Sequence, residues 1–379
     1  MKKSFKLHQQ TSMWHFQPHD SGATLRATEV KPKLDRFLIE WCQKKHQIDI
    51  LKEKKNWRVN EEHPNEEHPA FDYKLEIKNG SNQVTESLPG RNTLFFGNMR
   101  TEGEVKKYLV KAKAPILLTI LCFHKDLMNM LEECLPTFFL LTNFGTRQSK
   151  GFGSFTFENT AGSAETLLTD WYGDKAIYKI DYGRIDMCKT EGKIFRDIEV
   201  IYQVMKGGIK FGIYIKGFIN QYFLDKKVGG EKGYMKAKGI APKGDRYKEE
   251  DVNKYRYIRA LLGATDSQDW GRFNVKLDGG ELERIPSPIV FKPIGNRIYI
   301  LPNDVNPDVY GKEFKFSSSM GKGELCIPSK EEFDMDDFFA AYVEYINSKD
   351  NRDKLKKLKD TPTFVQNNIQ VMPCEGVNH

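Results

Sequence analysis

The middle of the chain contains a glycine-rich segment with the residue types that bind phosphate. It reads GTRQSKGFGS from Gly145 to Ser154 and combines glycines with cationic and amide side chains. Glycine has no Cβ, so the backbone here is free to adopt positive φ and to approach a ligand closely. The cationic and amide side chains supply donors that suit phosphate and ribose oxygens. We predict ligand contacts by Arg147, Gln148, Lys150, Gly151 and Gly153.

This segment has a purely structural alternative. A glycine-rich turn before a strand is also common in proteins that bind no ligand at that position. Phe152 lies between two of the glycines. Its ring would stack on a nucleic-acid base in the first case and fill the hydrophobic core in the second.

A second group of cations stands at the start of a predicted helix. Apolar residues recur at helical spacing over residues 30–41, and Thr28 is the predicted N-cap. The free N–H groups and the dipole of a helix N-terminus attract anions. The alternative is a solvated basic face, with Arg36 paired to Asp35 or Glu40. In the first case we predict phosphate contacts by Arg26, Thr28, Lys31 and Lys33.

A short polar loop near the N-terminus holds residues that suit metal-dependent hydrolysis. Asp20 lies there beside His15 and His19, and one carboxylate is able to hold a Mg²⁺ next to a scissile phosphate. The loop is short for reaching into a duplex, so the alternative is a turn aspartate. Asp20 is therefore the weak catalytic candidate, and His15 is a predicted contact to nucleic acid.

Other potential metal ligands show no convincing spacing. His63 and His68 belong to a tandem NEEHP repeat that contains two prolines. The prolines break any helix that would align the histidines, so the repeat predicts a solvated loop. Six cysteines are scattered without a C-x-x-C spacing, which does not support a zinc ribbon. We expect no metal and no cofactor.

The secondary-structure elements that must position these groups have the same predicted order in both halves of the chain. In each half, the sequence pattern predicts a strand, a helix, further strands, a second helix and a last strand. This is typical of α+β sandwiches with helices on one face of an antiparallel sheet. The loop after the first strand and the loop before the last strand then lie on one edge. That arrangement would bring the two cationic groups together.

The expected domain limits follow from composition. We expect a first domain over residues 1–160, a second over 161–348 and a C-terminal tail over 349–379. Within the second domain, the Lys- and Gly-rich segment 224–256 predicts an insertion or a mobile loop.

Two local patterns concern helix ends. Pro136 predicts the end or a kink of the helix that starts near Lys125. Ser329 and Glu332 form a capping-box pattern at the start of the last clear helix.

Composition and charge limit the class of protein. Hydrophobic residues make up 39% and charged residues 29%, which permits a sizeable core and argues against wholesale disorder. The formal net charge of +7 is compatible with a polyanionic partner. The longest apolar run, near residues 116–123, is too short to span a bilayer, and the N-terminal lysines precede no apolar stretch of a signal peptide. We therefore expect a cytoplasmic protein with no membrane partner.

Four segments resemble, in order, motifs of the RAMP family of CRISPR-associated proteins. Residues 26–31, RATEVK, are similar to the family's helix start. Residues 94–97, LFFG, are similar to its turn after the helix, and residues 145–153 to its G-x-R-x-x-x-G-x-G loop. The segment 284–294, RIPSPIVFKPI, is similar to a strand of its second half. Pro32 stands where the family usually has glycine, and segments 47–69 and 224–256 match none of these motifs.

Among RAMP proteins the chain is most similar to the first subunit of the type III-B (Cmr) effector. That resemblance implies two tandem ferredoxin-like (RRM-like) domains in a non-catalytic, RNA-binding subunit of an antiviral ribonucleoprotein. The implied partners are guide RNA, target RNA and other effector subunits. Base pairing would supply sequence specificity, while the protein would read RNA backbone and shape. The alternative is a metal-dependent RAMP endoribonuclease that cuts target RNA or precursor guide RNA.

Overall fold

The chain forms two compact units. The computed structural model describes residues 1–14, 24–59, 69–78, 84–87, 109–158, 160–185, 191–209, 212–243, 250–265, 267–270, 273–278 and 284–375. Unit 1 comprises Met1–Phe195, Phe291–Tyr299 and Pro373–His379. Unit 2 comprises Arg196–Val290 and Ile300–Met372.

The N-terminal part of the chain alternates between strands and helices. Its strands are β1 (Lys2–Gln9), β2 (Met13–Trp14), β3 (Tyr73–Lys78), β4 (Val84–Ser87), β5 (Leu109–Ala112), β6 (Ile116–Cys122), β7 (Phe155–Phe157) and β8 (Tyr178–Asp181). Its helices are α1 (Ala27–Trp41), α2 (Ile50–Glu53), α3 (Lys125–Leu141), α4 (Ala164–Tyr172) and α5 (Glu191–Lys206).

The C-terminal part is richer in strands. Its strands are β9 (Val228–Gly230), β10 (Lys254–Arg256), β11 (Ala264–Thr265), β12 (Ser267–Trp270), β13 (Phe273–Asp278), β14 (Arg284–Ile285), β15 (Ile289–Ile294), β16 (Arg297–Pro302), β17 (Glu313–Ser318), β18 (Gly321–Cys326) and β19 (Met372–Pro373). Its helices are α6 (Phe218–Asp225), α7 (Glu231–Ala237), α8 (Met335–Asn347), α9 (Lys349–Leu355) and α10 (Thr363–Gln366).

The first sheet is antiparallel and has one buried face. Its strand order is β3-β6-β1-β7, and every neighbouring pair is antiparallel. On β1, Phe5 and Leu7 are buried, whereas Lys2, Ser4 and Lys6 are exposed, as the two-residue period of a strand requires. The buried side chains join those of α1 and α3 in one hydrophobic core. The expected mixture of helices and antiparallel sheet is thus confirmed.

Aromatic rings fill the core where α1, α3 and α4 meet. The Phe37 ring centroid lies 5.0 Å from that of Trp171 and 5.5 Å from that of Phe138. Trp41 stacks on Trp171 at 5.7 Å with nearly parallel rings. Aromatic pairs of this kind add about 0.5–1.5 kcal/mol each beyond area burial. They hold α1 firmly, which fixes the position of its N-terminus.

Two predicted helix ends differ from the observed ones. α1 begins at Ala27 with Arg26 as its N-cap, so Thr28 is the second helical residue and not the cap. α3 continues through Pro136 to Leu141, so the helix does not end at this proline, and the alternative of a kink there stays a prediction. Proline inside a helix costs about 3 kcal/mol, and the complete burial of Phe138 in the following turn offsets that cost.

The predicted capping box forms a turn ahead of the last long helix. The Ser329 amide donates to Oε2 of Glu332 (2.8 Å). Helix α8, however, begins at Met335, and its N-cap is Asp334, whose carboxylate accepts from the amide of Asp337 (2.8 Å). An aspartate five residues beyond the predicted serine therefore caps this helix.

The segment 224–256 is not an irregular loop in its described part. Strands β9 and β10 pair in parallel, and α7 follows β9 directly. Val228 and Met235 are buried. A Cβ on Gly229 would lie 2.5 Å from the ring of Tyr255, so glycine permits close packing here. The lysine- and glycine-rich composition of this segment does not indicate the small apolar core that the structure contains.

Residues 349–375, expected as a tail, also form regular structure. Helices α9 and α10 bury Leu355 and Phe364. Asp197 is fully buried, and its carboxylate accepts from the amides of Thr363 (2.7 Å) and Phe364 (3.0 Å). These bonds satisfy the N-terminal amides of α10 and anchor this part of the chain within unit 2.

The remaining strands form smaller or separate sheets. One four-stranded sheet has the order β15-β16-β8-β19, and an antiparallel sheet of unit 2 has the order β12-β13-β17-β18. Strands β2, β5 and β4 form a three-stranded sheet. Across the described ranges, no helix has both the length and the apolar character needed to cross a membrane.

Candidate nucleic-acid interface

The start of α1 and the glycine-rich loop are joined by hydrogen bonds. Oε1 of Glu29 accepts from the amide of Gly145 (2.7 Å) and pairs with Nζ of Lys33 (3.4 Å). Lys33 Nζ also donates to the carbonyl oxygen of Asn143 (3.2 Å) and to Oε1 of Gln148 (2.8 Å). The two cationic groups predicted from the sequence therefore lie in contact.

Lys33 and Gln148 bind the protein itself. The three protons of the Lys33 ammonium face three protein acceptors, and the ammonium lies 4.8 Å from the ring centroid of Phe144. Burial lowers the pKa of Lys33, and Glu29 raises it in part. Nε2 of Gln148 donates to the carbonyl oxygen of Gly145 (2.7 Å). Both side chains thus help to hold the loop in place, and the ligand contacts expected of Lys33 and Gln148 stay predictions.

Two glycines of the loop allow protein backbone, rather than a ligand, to come close. Gly145 has φ +81°, and a Cβ there would lie 2.6 Å from the carbonyl oxygen of Trp14. Gly153 has φ +63°, and a Cβ there would overlap the carbonyl group of Phe144. Any other residue at these positions would displace the backbone beside it.

Gly151 and Gly153 also use their backbone groups internally. The amide of Gly153 donates to the carbonyl oxygen of Ser12 (3.0 Å). The carbonyl oxygen of Gly151 accepts from Oγ1 of Thr11 (2.6 Å), and its amide donates to the carbonyl oxygen of Gln148 (3.3 Å). The two glycines thus contact the segment between β1 and β2, and the ligand contacts expected of them stay predictions.

Phe152 belongs to the core. Its side chain is fully buried, and its ring stacks on Phe195 with centroids 3.9 Å apart and an interplanar angle of 8°. Trp14 and Leu109 complete this small cluster. Of the two alternatives for Phe152, base stacking is excluded in this conformation.

The two cations of the loop have different surroundings. Arg147 is half-buried with φ +58°, and its guanidinium lies 5.2 Å from the ring centroid of Trp14. Burial lowers the pKa of Arg147, yet arginine stays charged in proteins. Lys150 is only 8% exposed, and its ammonium lies 6.0 Å from the ring centroid of Phe291. The Lys150 side chain thus packs within unit 1, and the phosphate contact expected of it stays a prediction.

A buried lysine behind the loop was absent from the predicted site. Lys292 on β15 has no exposed surface, and its Nζ donates to the carbonyl oxygen of Thr142 (3.0 Å) and to Oδ1 of Asn143 (3.1 Å). Burial lowers the pKa of Lys292 well below the ordinary value. The signal in the sequence is a single lysine within the apolar strand IVFKPI. These two hydrogen bonds from Nζ hold in place the residues that lead into the loop.

A cleft of about 640 Å³ runs along the exposed face of α1. Thr28, Lys31 and Arg36 line it with polar groups, and Leu75 lines it with apolar surface. Thr28 and Arg36 are exposed. This face therefore presents the Thr28 hydroxyl group and the Arg36 guanidinium to the solvent, and Asp35 also lines the cleft.

Lys31 is anchored at this cleft. Its Nζ pairs with Oδ2 of Asp35 (2.8 Å), donates to the carbonyl oxygen of Phe71 (3.0 Å) and lies 4.0 Å from the ring centroid of Tyr73. Burial raises the pKa of the Asp35 carboxyl, and Lys31 partly opposes that rise. The solvated-face alternative paired Arg36 with Asp35 or Glu40, and in the structure Asp35 pairs with Lys31.

The N-terminus of α1 opens at the same cleft. Ala27 and Thr28, the first two helical residues, both line it. The carbonyl oxygen of Arg26 accepts from the amides of Glu29 and Val30 (3.1 Å each), and the Arg26 side chain makes no capping bond. A helix end of this kind attracts anions through its dipole and its amide groups.

The weak catalytic candidate Asp20 is not among the residues that the structure describes. His15, His19 and Asp20 fall outside the described residues. In the part of the chain that is described, no three His, Cys, Asp or Glu side chains cluster in a way that would hold a metal ion.

Comparisons with known proteins identify relatives for both parts of the chain. Residues 1–209 match the family model of the Cmr1 N-terminal domain, and residues 214–368 match that of the Cmr1 C-terminal domain. The crystal structure of Cmr1 from Pyrococcus furiosus in its apo form aligns with 10% identity over 99% of each chain, with a TM-score of 0.42. No curated protein sequence matches the chain significantly.

Proposed function

This chain belongs to the Cmr1 family of type III-B CRISPR effector subunits, and from this premise we propose that it binds RNA within the effector without cutting it. The proposed ligands are guide RNA and the guide–target duplex. The protein would hold the sugar–phosphate backbone, and base pairing would supply sequence specificity. Other subunits of the effector would carry out cleavage.

The cleft along the start of α1 is the observation that carries this proposal. It combines a helix N-terminus, an exposed hydroxyl group and cations within one volume of about 640 Å³. Each contact of a cation with a phosphate is a charge-assisted hydrogen bond worth about 1.5–3 kcal/mol. The proposed phosphate contacts are Arg26, Thr28, Lys31, Arg36 and Arg147.

In this proposal, the other residues that were predicted to contact RNA hold the interface in place. Glu29 and Lys33 connect α1 to the loop, so the loop keeps Arg147 in a fixed position relative to the helix. The residues assigned to this supporting role are Lys33, Gln148, Lys150, Gly151 and Gly153. His15 stays a proposed contact because it follows β2, which borders the loop.

We further propose that the chain contains two tandem ferredoxin-like halves. The first would use β1, α1, β3, β6, α3 and β7, with the sheet order β3-β6-β1-β7. The second would use β8, α5, β15, β16, α8 and β19, with the sheet order β15-β16-β8-β19. Both series run strand, helix, strand, strand, helix, strand, and both sheets place these strands in the same relative order. The second half would then extend past residue 348 to β19.

Direct binding of RNA tests the proposed function. The affinity of the purified chain for labelled guide RNA is measured by fluorescence anisotropy over a range of salt concentrations. Each phosphate contact should contribute roughly −0.7 to the slope of log affinity against log salt. An affinity that does not change with salt would remove the phosphate-binding proposal.

A second experiment distinguishes RNA binding from RNA cleavage. The RNA is incubated with the protein and Mg²⁺, with and without a chelator, and its length is then measured. Intact RNA in both samples is the expected result. Fragments that form only without the chelator would establish the rival function, a metal-dependent endoribonuclease.

A further inference from the structure

The first sheet presents a strongly basic face on the side away from α1 and α3. Strand β1 contributes Lys2 and Lys6, and β3 contributes Lys74 and Lys78, all of them exposed. On β3, β6 and β1, Glu76 is the one acidic side chain of this face, and it pairs with Lys78 (2.9 Å). The charges of the other three lysines have no ion-pair partner among the described residues.

An apolar stripe runs along β6, the strand between the two rows of lysines. Leu117 is 39% exposed, and Leu121 is partly exposed. Phe123, just past the end of the strand, is 80% exposed. Thr119 lies between the two leucines, and its hydroxyl group bonds to that of Ser4 (2.9 Å). Large apolar side chains in a row on an open sheet face mark an interaction surface.

The antiparallel register places each leucine between two lysines. The two cross-strand triplets are Lys2–Leu121–Lys74 and Lys6–Leu117–Lys78. Neighbouring strands lie about 4.8 Å apart, so the lysine Cα atoms of one triplet are about 10 Å apart. Four residues of a strand span about 14 Å, which is the distance between the triplets along β6.

We propose that this face docks an acidic amphipathic helix of a partner protein. An α-helix with its side chains is about 10–12 Å wide, which matches the separation of the two lysine rows. Its apolar side would cover the stripe from Leu117 to Phe123, and acidic residues on both flanks would meet the lysines. That stripe is about 20 Å long, the length of about 13 helical residues.

The chemistry of the stripe favours a protein over RNA. Sheet faces that bind single-stranded RNA stack its bases on aromatic side chains. Between the two lysine rows, the outward residues of β6 are Leu117, Thr119 and Leu121, and none of them offers a ring for stacking. The rings on this face are His8, near the end of β1, and Phe123, past the end of β6. Apolar anchors surrounded by complementary charge are typical of protein–protein interfaces.

The docking face is separate from the proposed RNA interface. The inward residues of β1, such as Phe5 and Leu7, pack in the core that α1 also lines. The cleft along α1 and the lysine face therefore lie on opposite sides of one sheet. The proposal goes beyond RNA binding and does not depend on it.

The test uses the full chain and a synthetic peptide of 14 residues. The peptide carries leucines at i, i+3, i+4, i+7 and i+11 with glutamates on both flanks, and a scrambled peptide of the same composition is the control. Binding of each labelled peptide is measured by fluorescence anisotropy at two salt concentrations. The variants are Lys2→Glu with Lys6→Glu, and Leu117→Asp. The charge-matched control is Lys312→Glu with Lys330→Glu, two exposed lysines of unit 2.

The amphipathic peptide should bind more tightly than the scrambled one, and more weakly at the higher salt concentration. Both face variants should lose at least about tenfold in affinity, a change of ~1.4 kcal/mol, while the control variant should match the wild type. Equal binding of the two peptides would overturn the proposal. A competing 20-nucleotide single-stranded RNA gives a second criterion. The proposal would also be overturned if this RNA displaced the peptide and if its affinity depended on Lys2 and Lys6 but not on Leu117. That result would assign the face to nucleic acid.

Discussion

The Glu29 carboxylate accepts a hydrogen bond from the Gly145 amide at 2.7 Å, which fixes the glycine-rich loop to the first turn of α1. The same carboxylate pairs with Lys33 (3.4 Å), which reaches on to Gln148 (2.8 Å). One acidic residue thereby links two segments that are far apart in the sequence. The proposed RNA interface depends on this link, because it sets the position of Arg147 relative to α1.

Glu29→Ala should lower the free energy of unfolding by about 1–3 kcal/mol, because the Gly145 amide loses its acceptor. RNA affinity should fall as well, since the loop is no longer fixed to α1. Urea unfolding measures the first effect, and anisotropy measures the second. Glu40→Ala changes an exposed residue of the same helix and should stay within about 0.5 kcal/mol of the wild type. Equal stability of the two variants would refute the role of Glu29.

Gly145→Ala should be far more damaging than Gly162→Ala. At Gly145, φ is +81° and a Cβ would lie 2.6 Å from the Trp14 carbonyl oxygen. Left-handed backbone alone costs a non-glycine residue about 1–2 kcal/mol. At Gly162 a Cβ would meet no atom within 4 Å. Differential scanning calorimetry should therefore show a clear drop in Tm for the first variant only, and matching Tm values would disprove the packing described for the loop.

Phe152→Leu should lower stability and leave the RNA affinity of the folded protein unchanged. The reason is the burial of Phe152 against Phe195, with ring centroids 3.9 Å apart. The larger truncation Phe152→Ala should cost about 3–5 kcal/mol. The Tm and the RNA affinity of each variant are measured on the same protein preparation. A variant with unchanged Tm and weaker RNA binding would return Phe152 to a base-stacking role.

The pairing of the loop with α1 was predictable from the order of the elements. A strand–helix–strand–strand–helix–strand pattern places the loop after the first strand beside the loop before the last one. The roles of individual cations were not predictable, since residue type does not reveal whether a side chain turns inward. Lys150 is buried against Phe291, which is 141 positions later in the sequence. No local pattern around Lys150 contains that contact.

The composition of segment 224–256 does not reveal its regular structure. The segment 224–256 contains many lysines and glycines, which predicts a loop. Its apolar residues are few, but Val228 and Met235 are both buried. Burial of a few well-placed side chains was sufficient to order β9 and α7. The spacing of such residues is too irregular to reveal a strand or helix period.

Lys206 should make stability depend on pH above neutrality. Burial lowers its pKa from 10.5 to about 7, with a further contribution from Arg259. Between these two pKa values the unfolded chain binds more protons at this site than the folded chain. The free energy of unfolding should therefore rise with pH in this window, by up to about 1.4 kcal/mol per pH unit. Below the lower value both states are protonated, and the contribution becomes constant.

The comparison of wild type with Lys206→Met isolates this effect from other titrating groups. Urea unfolding is measured at several pH values between about 7 and about 9, within the window set by the two pKa values. The wild type should gain stability relative to the variant as pH rises. A stability difference that stays constant over this range would show that Lys206 keeps its proton in the folded protein.

The most direct test of RNA binding at the cleft is the affinity of Thr28→Glu for guide RNA, compared with Thr28→Gln. Thr28 is exposed, is the second residue of α1 and lines the cleft. A glutamate in the first turn of a helix is favourable by about 0.3–1 kcal/mol, so the fold should be retained. The same charge should repel a phosphate. We predict a Tm equal to or above that of the glutamine variant and an RNA affinity at least about tenfold lower, ~1.4 kcal/mol. Equal RNA affinities of the two folded variants at low salt would contradict the account.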